Sequence, residues 1–154
     1  LLIVPLVILF FKLDRSRVYQ IGFYGFAIHV LGVYVDTIGT NYGFWSYPYK
    51  MVPILPTSFT LTSSMIPVAF MLMYQWLSRK HIHYYLGAAG VSAIFVFVVH
   101  PIFMWMDMFK MYRGFNYLIM FVNYFSGAII GKLVLDLFVY LNKQNDTIRI
   151  RKIN

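Results

Sequence analysis

Four side chains in this sequence combine residue types and spacing that could do chemistry: His29, Asp36, His100 and Asp107. Each His precedes its Asp by seven residues, two helical turns, so each pair shares one face. Two imidazoles and two carboxylates brought together would bind a divalent metal such as zinc. The same set would relay protons, because His titrates near neutrality, or hold a polar substrate. The structural alternative is that each His bonds within a helix bundle and each Asp sits at the wet end of its helix. Spacing does not establish that the four converge. It assigns no catalytic residue and names no cofactor.

A further pair, Lys132 and Asp136, stands four residues apart and can form an ion pair on one helical face. Beside it runs Gly127-Ala128-Ile129-Ile130-Gly131, a GxxxG pattern that lets helices approach closely. This face is expected inside a bundle, with the pair in a structural role. The His29 face is also small and polar, with Gly25, His29, Gly32 and Asp36 spaced 4, 3 and 4. It is expected to meet another helix. Ala89, Ala93, His100 and Asp107 repeat the design. At a constant offset of 71, His29, Asp36, Gly43 and Phe44 match His100, Asp107, Gly114 and Phe115. This is a candidate parallel repeat of a helix–loop–helix unit.

The elements that must position these groups are membrane helices. Sixty per cent of residues are hydrophobic, 12% are charged, and the mean hydropathy is +0.69. A soluble domain averages about 45–50% apolar and about 25% charged, and 154 residues could not hide this excess in one core. The expected fold is all-α, a polytopic membrane helix bundle forming one domain over 1–141. Its spans lie at about 1–11, 18–35, 57–77, 84–106 and 117–141. The first is too short to cross alone and reads as a helix cut by a fragment boundary, giving four full spans and a truncated fifth. Pro67 is expected to kink its span and His100-Pro101 to interrupt another. Residues 142–154 read as a mobile, basic, cytoplasmic tail.

The stretch Asp36–Pro56 is the longest break between apolar runs. Tyr42, Trp45, Tyr47 and Tyr49 there, and Tyr74, Trp76, Tyr84 and Tyr85 at the other end, fit the interfacial aromatic belts of a bilayer. The absence of cysteine excludes disulfides and thiolate metal sites. The net charge of +8 would suit nucleic acid, but the basic residues lie in short clusters between apolar runs, so no nucleic-acid partner is expected. Nine of them (Lys12, Arg15, Arg17, Arg79, Lys80, Lys143, Arg149, Arg151, Lys152) fall on one side, and Lys50, Lys110 and Arg113 on the other. The positive-inside rule then puts the C-terminus in the cytoplasm and the Asp36–Pro56 loop outside. The bilayer is the expected partner, together with further copies or a partner membrane protein.

Asp36, Gly43-Phe44-Trp45-Ser46-Tyr47, Pro53, Thr60, Pro67 and Tyr74-Gln75-Trp76 together resemble a family of small, uncharacterised multi-pass membrane proteins of spore-forming Firmicutes. The resemblance covers roughly Val18 to Leu135. Asp107 stands where the family more typically has Glu, with Tyr112 soon after. The resemblance implies a bacterial cell-membrane location and no activity. Two functions follow from the residues. One is a small transporter-like or membrane-complex subunit with a polar His/Asp site near the outer face. The other is a membrane-embedded enzyme acting on a lipid or isoprenoid, with Asp36 or Asp107 as general acid or base.

Overall fold

The computed structural model describes residues 3–49, 58, 61–77, 81–112 and 114–151, without the side chains of 81, 82 and 144–151. Several expectations lie outside the described residues: the stretch 50–57, the span start at 57, 59 and 60, the basic pair Arg79 and Lys80, Arg113, and the tail end 152–154.

Among the described residues the chain is all-α apart from one pair of two-residue strands. Helix α1 (Ile3–Lys12) ends with Lys12 in its last turn, where a cation suits the helix dipole. Helix α2 (Val18–Asn41) follows a short 3-10 turn, Arg15–Arg17, capped by the Asp14 carboxylate on the Ser16 N–H. A π-helical turn, Leu61–Met65, leads into α3 (Ile66–Leu77). A rod then runs through α4 (His81–Ile94), a second π-helical turn (Phe95–Val99) and α5 (His100–Trp105). Helix α6 (Tyr117–Arg151) begins at Asn116, whose side chain accepts the Ile119 N–H at 2.9 Å.

Four elements close a ring. Helices α2 and α4 each pack against both α3 and α6, while α1 lies outside against α3. Tyr24, Tyr74 and Tyr84 fill one end of the core. The Tyr84 hydroxyl donates to the Ala128 carbonyl, so the Tyr24 hydroxyl donates to Tyr84, each at 2.8 Å. Gln75 latches the α1–α2 corner to the end of α3: its carboxamide accepts from the Asp14 N–H and donates to the Lys12 carbonyl.

Among the described residues, three helical stretches, Arg15–Asn41, His83–Trp105 and Tyr117–Lys143, are long and apolar enough to cross a membrane; Ile3–Lys12 and Leu61–Leu77 are shorter apolar helices. Three expected boundaries move. Helix α2 continues past Val35 to Asn41, because Thr37 and Thr40 return their hydroxyls to backbone carbonyls of the preceding turn and stay compatible with helix. Asp36 therefore sits inside the helix rather than ending it. His100-Pro101 does not interrupt its span. The π turn before it lets the His100 N–H reach back to the Phe95 carbonyl, which makes room for a proline that has no N–H. Helix α6 runs to Arg151, so the backbone stays helical beyond Leu141, while the apolar stretch long enough to cross a membrane ends at Lys143.

Candidate functional site

Asp36 is the anchor of the site. Helix α2 stops at Asn41 in a Schellman closure: Gly43 takes a left-handed φ of +68°, its N–H meets the Thr40 carbonyl, and the Phe44 N–H meets the Gly39 carbonyl. The chain turns back and drives Trp45 and Tyr47 into the protein. The indole N–H of Trp45 and the hydroxyl of Tyr47 both donate to Asp36 Oδ1 at 2.7 Å, and the Ser58 N–H donates to Oδ2 at 3.2 Å. A buried carboxylate needs such donors to offset its lost hydration. Gly39 makes the fold-back possible, because a Cβ there would sit 2.0 Å from the Trp45 ring. Burial, and then the negative charge of Asp36, push the Tyr47 hydroxyl well above the usual tyrosine pKa.

The α4–α5 rod ends the same way. Asp107 takes φ +55°, its N–H meets the Met104 carbonyl, and the Met108 N–H meets the Phe103 carbonyl. Asp107 thus occupies the glycine position of a second Schellman closure, a conformation that Asp tolerates better than most residues. The chain again turns back, and Phe109 packs on the His100 ring at 4.5 Å between centroids. His100 is 1% exposed; its Nε2 lies 2.9 Å from the Tyr124 hydroxyl, and its buried Nδ1 has no partner among the described residues.

These two hooks correspond at an offset of 64, not the 71 read from the sequence. Gly43 answers to Asp107, Asp36 to His100, and Trp45 to Phe109. Buried Tyr24, Ile28, Asp36 and Gly39 answer to Ala88, Ser92, His100 and Phe103, which are all buried too. The strands β1 (Trp45–Ser46) and β2 (Lys110–Met111) pair antiparallel with Ser46 opposite its own counterpart Lys110. Equivalent residues facing each other mark a local twofold. The ring obeys it: α2 with α6 matches the α4–α5 rod with α3. His29 and Asp107 have no equivalent roles, so the 71-residue match fails as a repeat of sites. Its Gly43 and Gly114 do share a left-handed φ, and Phe44 stacks on Phe115.

Between α2 and α6, beneath the hooks, lies a cavity of about 250 Å³. Asp36, Tyr47, His100, Asn123 and Tyr124 form its polar side, while Leu31, Val35, Ile66, Phe70, Phe115 and Met120 are among its apolar walls. Gly32 and Gly127 also line it, and a Cβ on either would meet nothing within 4 Å. Ile130 lines it and is 45% exposed, so the cavity reaches the flank of the bundle. The small stripe of α2 is therefore divided. Gly25 faces Met71, as expected of a helix contact, while Gly32 opens a chamber. Gly131 likewise packs on Ile28 and Tyr24, whereas Gly127 does not touch α2.

The four expected site residues separate. Asp36 and His100 share the cavity. His29 does not line it. Its Nδ1–H donates to the Thr62 carbonyl at 2.9 Å, the carbonyl five residues before Pro67 that the missing proline N–H leaves open in a π turn. Asp107 is exposed, its carboxylate 3.6 Å from Lys110. Among the described residues, no three of His, Cys, Asp and Glu gather as metal ligands. The Lys132–Asp136 ion pair forms, with Lys132 5% exposed and its ammonium 5.4 Å above the Tyr84 ring.

The expected aromatic belt is corrected at four positions. Trp45, Tyr47, Tyr74 and Tyr84 are buried, and for three of them the polar atom's internal partner is named above. Tyr42, Tyr49, Trp76 and Tyr85 are exposed. Sequence reasoning missed Tyr124, which joins His100 to the cavity. The signal was present as the matched strings Asp36-x6-Gly43-x-Trp45 and His100-x6-Asp107-x-Phe109, hidden because Asp stands in for Gly. No family model, curated protein or solved structure matches this chain.

Proposed function

We propose that this chain is a multi-pass integral membrane protein that holds the hydrocarbon part of a lipid-like amphiphile between α2 and α6. In this reading α2, the α4–α5 rod and α6 cross the bilayer, and their length and apolarity support it. Leu61–Leu77 rises about 25 Å, short of the roughly 30 Å hydrocarbon core. It is mostly buried among the other helices, which shields its ends from lipid. Helix α1 is a fifth, peripheral segment. The basic clusters put the C-terminus in the cytoplasm and the two hooks at the outer face.

The observation that carries the reading is the cavity: hydrocarbon walls, one polar side, and an opening on the flank of the bundle. Pockets that enclose a whole drug-sized ligand run to about 300–1,000 Å³, so this one takes part of a longer molecule whose remainder stays in the bilayer. Asp36 is a poor general base, because donors already occupy both of its oxygens. That favours binding over catalysis on a lipid. The transporter-like subunit remains a second reading, favoured by the placement of titratable Asp36 and His100 on one cavity wall.

The test is lipid extraction from the purified full chain, followed by mass spectrometry. Wild type is expected to carry a bound amphiphile. Gly32→Leu and Gly127→Leu, which build a side chain from positions where a Cβ meets nothing within 4 Å, are expected to lose it while still folding. Equal lipid in all three proteins, or none in wild type, overturns the proposal.

A further inference from the structure

Resting on the membrane-crossing part of that reading, and not on its guest, we propose that the outer flank of α6 is the contact face for a second copy of this chain, with Asn123 as the polar lock of the pair. Ile119, Asn123, Ser126, Ile130, Leu133 and Leu137 are spaced 4, 3, 4, 3 and 4. A mean step near 3.5 keeps them on one stripe and lets two such helices stay in register along a left-handed crossing. Ile119, Ile130, Leu133 and Leu137 are exposed. Within the chain α6 packs on α2, on α4 and on the π turn that follows α4, while α1 lies away against α3. The stripe rises about 27 Å, close to the roughly 30 Å hydrocarbon core.

Lipid suits the apolar members of the stripe but not Asn123. Ile130 stands at the middle of the 27-residue stretch Tyr117–Lys143. Asn123 lies one heptad before it, about 10 Å along the helix, still within the hydrocarbon core. Its carboxamide is half-buried and makes no hydrogen bond among the described residues. The Ser126 hydroxyl donates instead to the backbone carbonyl of Asn123, at 3.0 Å. An amide left unpaired in hydrocarbon costs free energy that a hydrogen bond across a helix pair recovers. The guest proposed above brings hydrocarbon and no such partner.

A second copy brings one. A carboxamide both donates and accepts, so it is complementary to itself. Both copies enter the bilayer with the same topology, so their α6 helices run parallel and a twofold axis sets the two Asn123 side chains at one depth. Each N–H can then donate to the other's carbonyl oxygen. The Ser126 hydroxyl has given its proton within its own helix and keeps lone pairs for the remaining N–H. Charge does not oppose the pairing: the stripe carries none, and Lys132 and Asp136 lie off it and pair within one chain. Asn123, Ser126 and Ile130 also line the chamber, so the second copy borders its mouth.

The chain has no cysteine, so single substitutions report directly. Leu133→Cys and Leu137→Cys on the stripe, and Phe26→Cys and Val98→Cys on the exposed flanks of α2 and the α4–α5 rod, are made in the full chain, placed in liposomes and oxidised with copper phenanthroline. The stripe variants are expected to form a disulfide-linked dimer roughly tenfold faster than the other two, because pairing raises their local concentration. Adding Asn123→Leu is expected to raise roughly tenfold the protein-to-lipid ratio needed for half-maximal cross-linking, and Asn123→Gln, which keeps a carboxamide, to restore most of it. The four-position comparison leaves Asn123 unchanged and stands even if those variants do not fold. Equal rates at all four positions, or cross-linking of Phe26→Cys or Val98→Cys alone, overturns the proposal. No cross-link on the stripe leaves it to lipid or to a different protein and also overturns it, as does full cross-linking with Asn123→Leu. Carbonate extraction of the expressing membranes separates the two readings. Release of the chain overturns the membrane reading itself, whereas retention without stripe cross-links overturns the dimer alone.

Discussion

At the scale of single residues, the chain spends its buried polarity on closing loops over a chamber. Among the described residues Trp45, Tyr47 and Ser58 donate to Asp36, and the first two come from the loop it restrains. Asp36→Asn keeps a carbonyl for Trp45 and Tyr47 but turns an NH2 towards the Ser58 N–H. Leaving such a buried donor unsatisfied costs about 1–3 kcal/mol, so the variant should melt lower and redden Trp emission. An unchanged melt would show that the carboxylate is dispensable. Tyr47 adds a pH limit. Its folded pKa is raised above the ordinary 10.0, so its contribution is complete below about pH 10 and is lost as pH rises, when the unfolded chain ionises first. The melting temperature should fall more steeply above about pH 10 in wild type than in Tyr47→Phe. Parallel curves would refute this.

At the scale of elements, the ends of α2 and α5 decide where the chain turns. Asp107 bears a left-handed φ with a side chain, which glycine adopts freely. Asp107→Gly is expected to hold or raise stability by up to about 1 kcal/mol, whereas Asp107→Val should lower it by about 1–2 kcal/mol. Thermal melts of the two variants decide it; a strongly destabilised glycine variant would mean that the carboxylate itself matters. This position also shows what was legible beforehand. Helix identity and the Lys132–Asp136 pair follow from apolar length and an i, i+4 spacing, which are local signals. The helix end at Asn41 and the return of Trp45 to Asp36 depend on contacts made after the helix stops, where periodicity carries no information. The spacing of His29 and Asp107 was real but led elsewhere. One answers a carbonyl left open by Pro67, and the other closes a helix.

At the scale of the whole molecule, the ring divides into two halves, one ending with α3 and the other beginning with α4. Each half holds one hook, and each hook-bearing helix packs across the divide as well as within its half. Residues 1–78 and 79–154, made as separate chains in one membrane, should therefore reassemble and co-purify, with the Tyr24–Tyr84 bond and the β1–β2 pair rejoining them. Co-purification through a tag on one half checks this, and two halves that never associate would refute it. The local twofold has one more consequence. The helix-end turns correspond on both sides, but one closes over a carboxylate at Asp36 and the other over an imidazole at His100. The two hooks are therefore alike in how they turn and unlike in the side chain they close over.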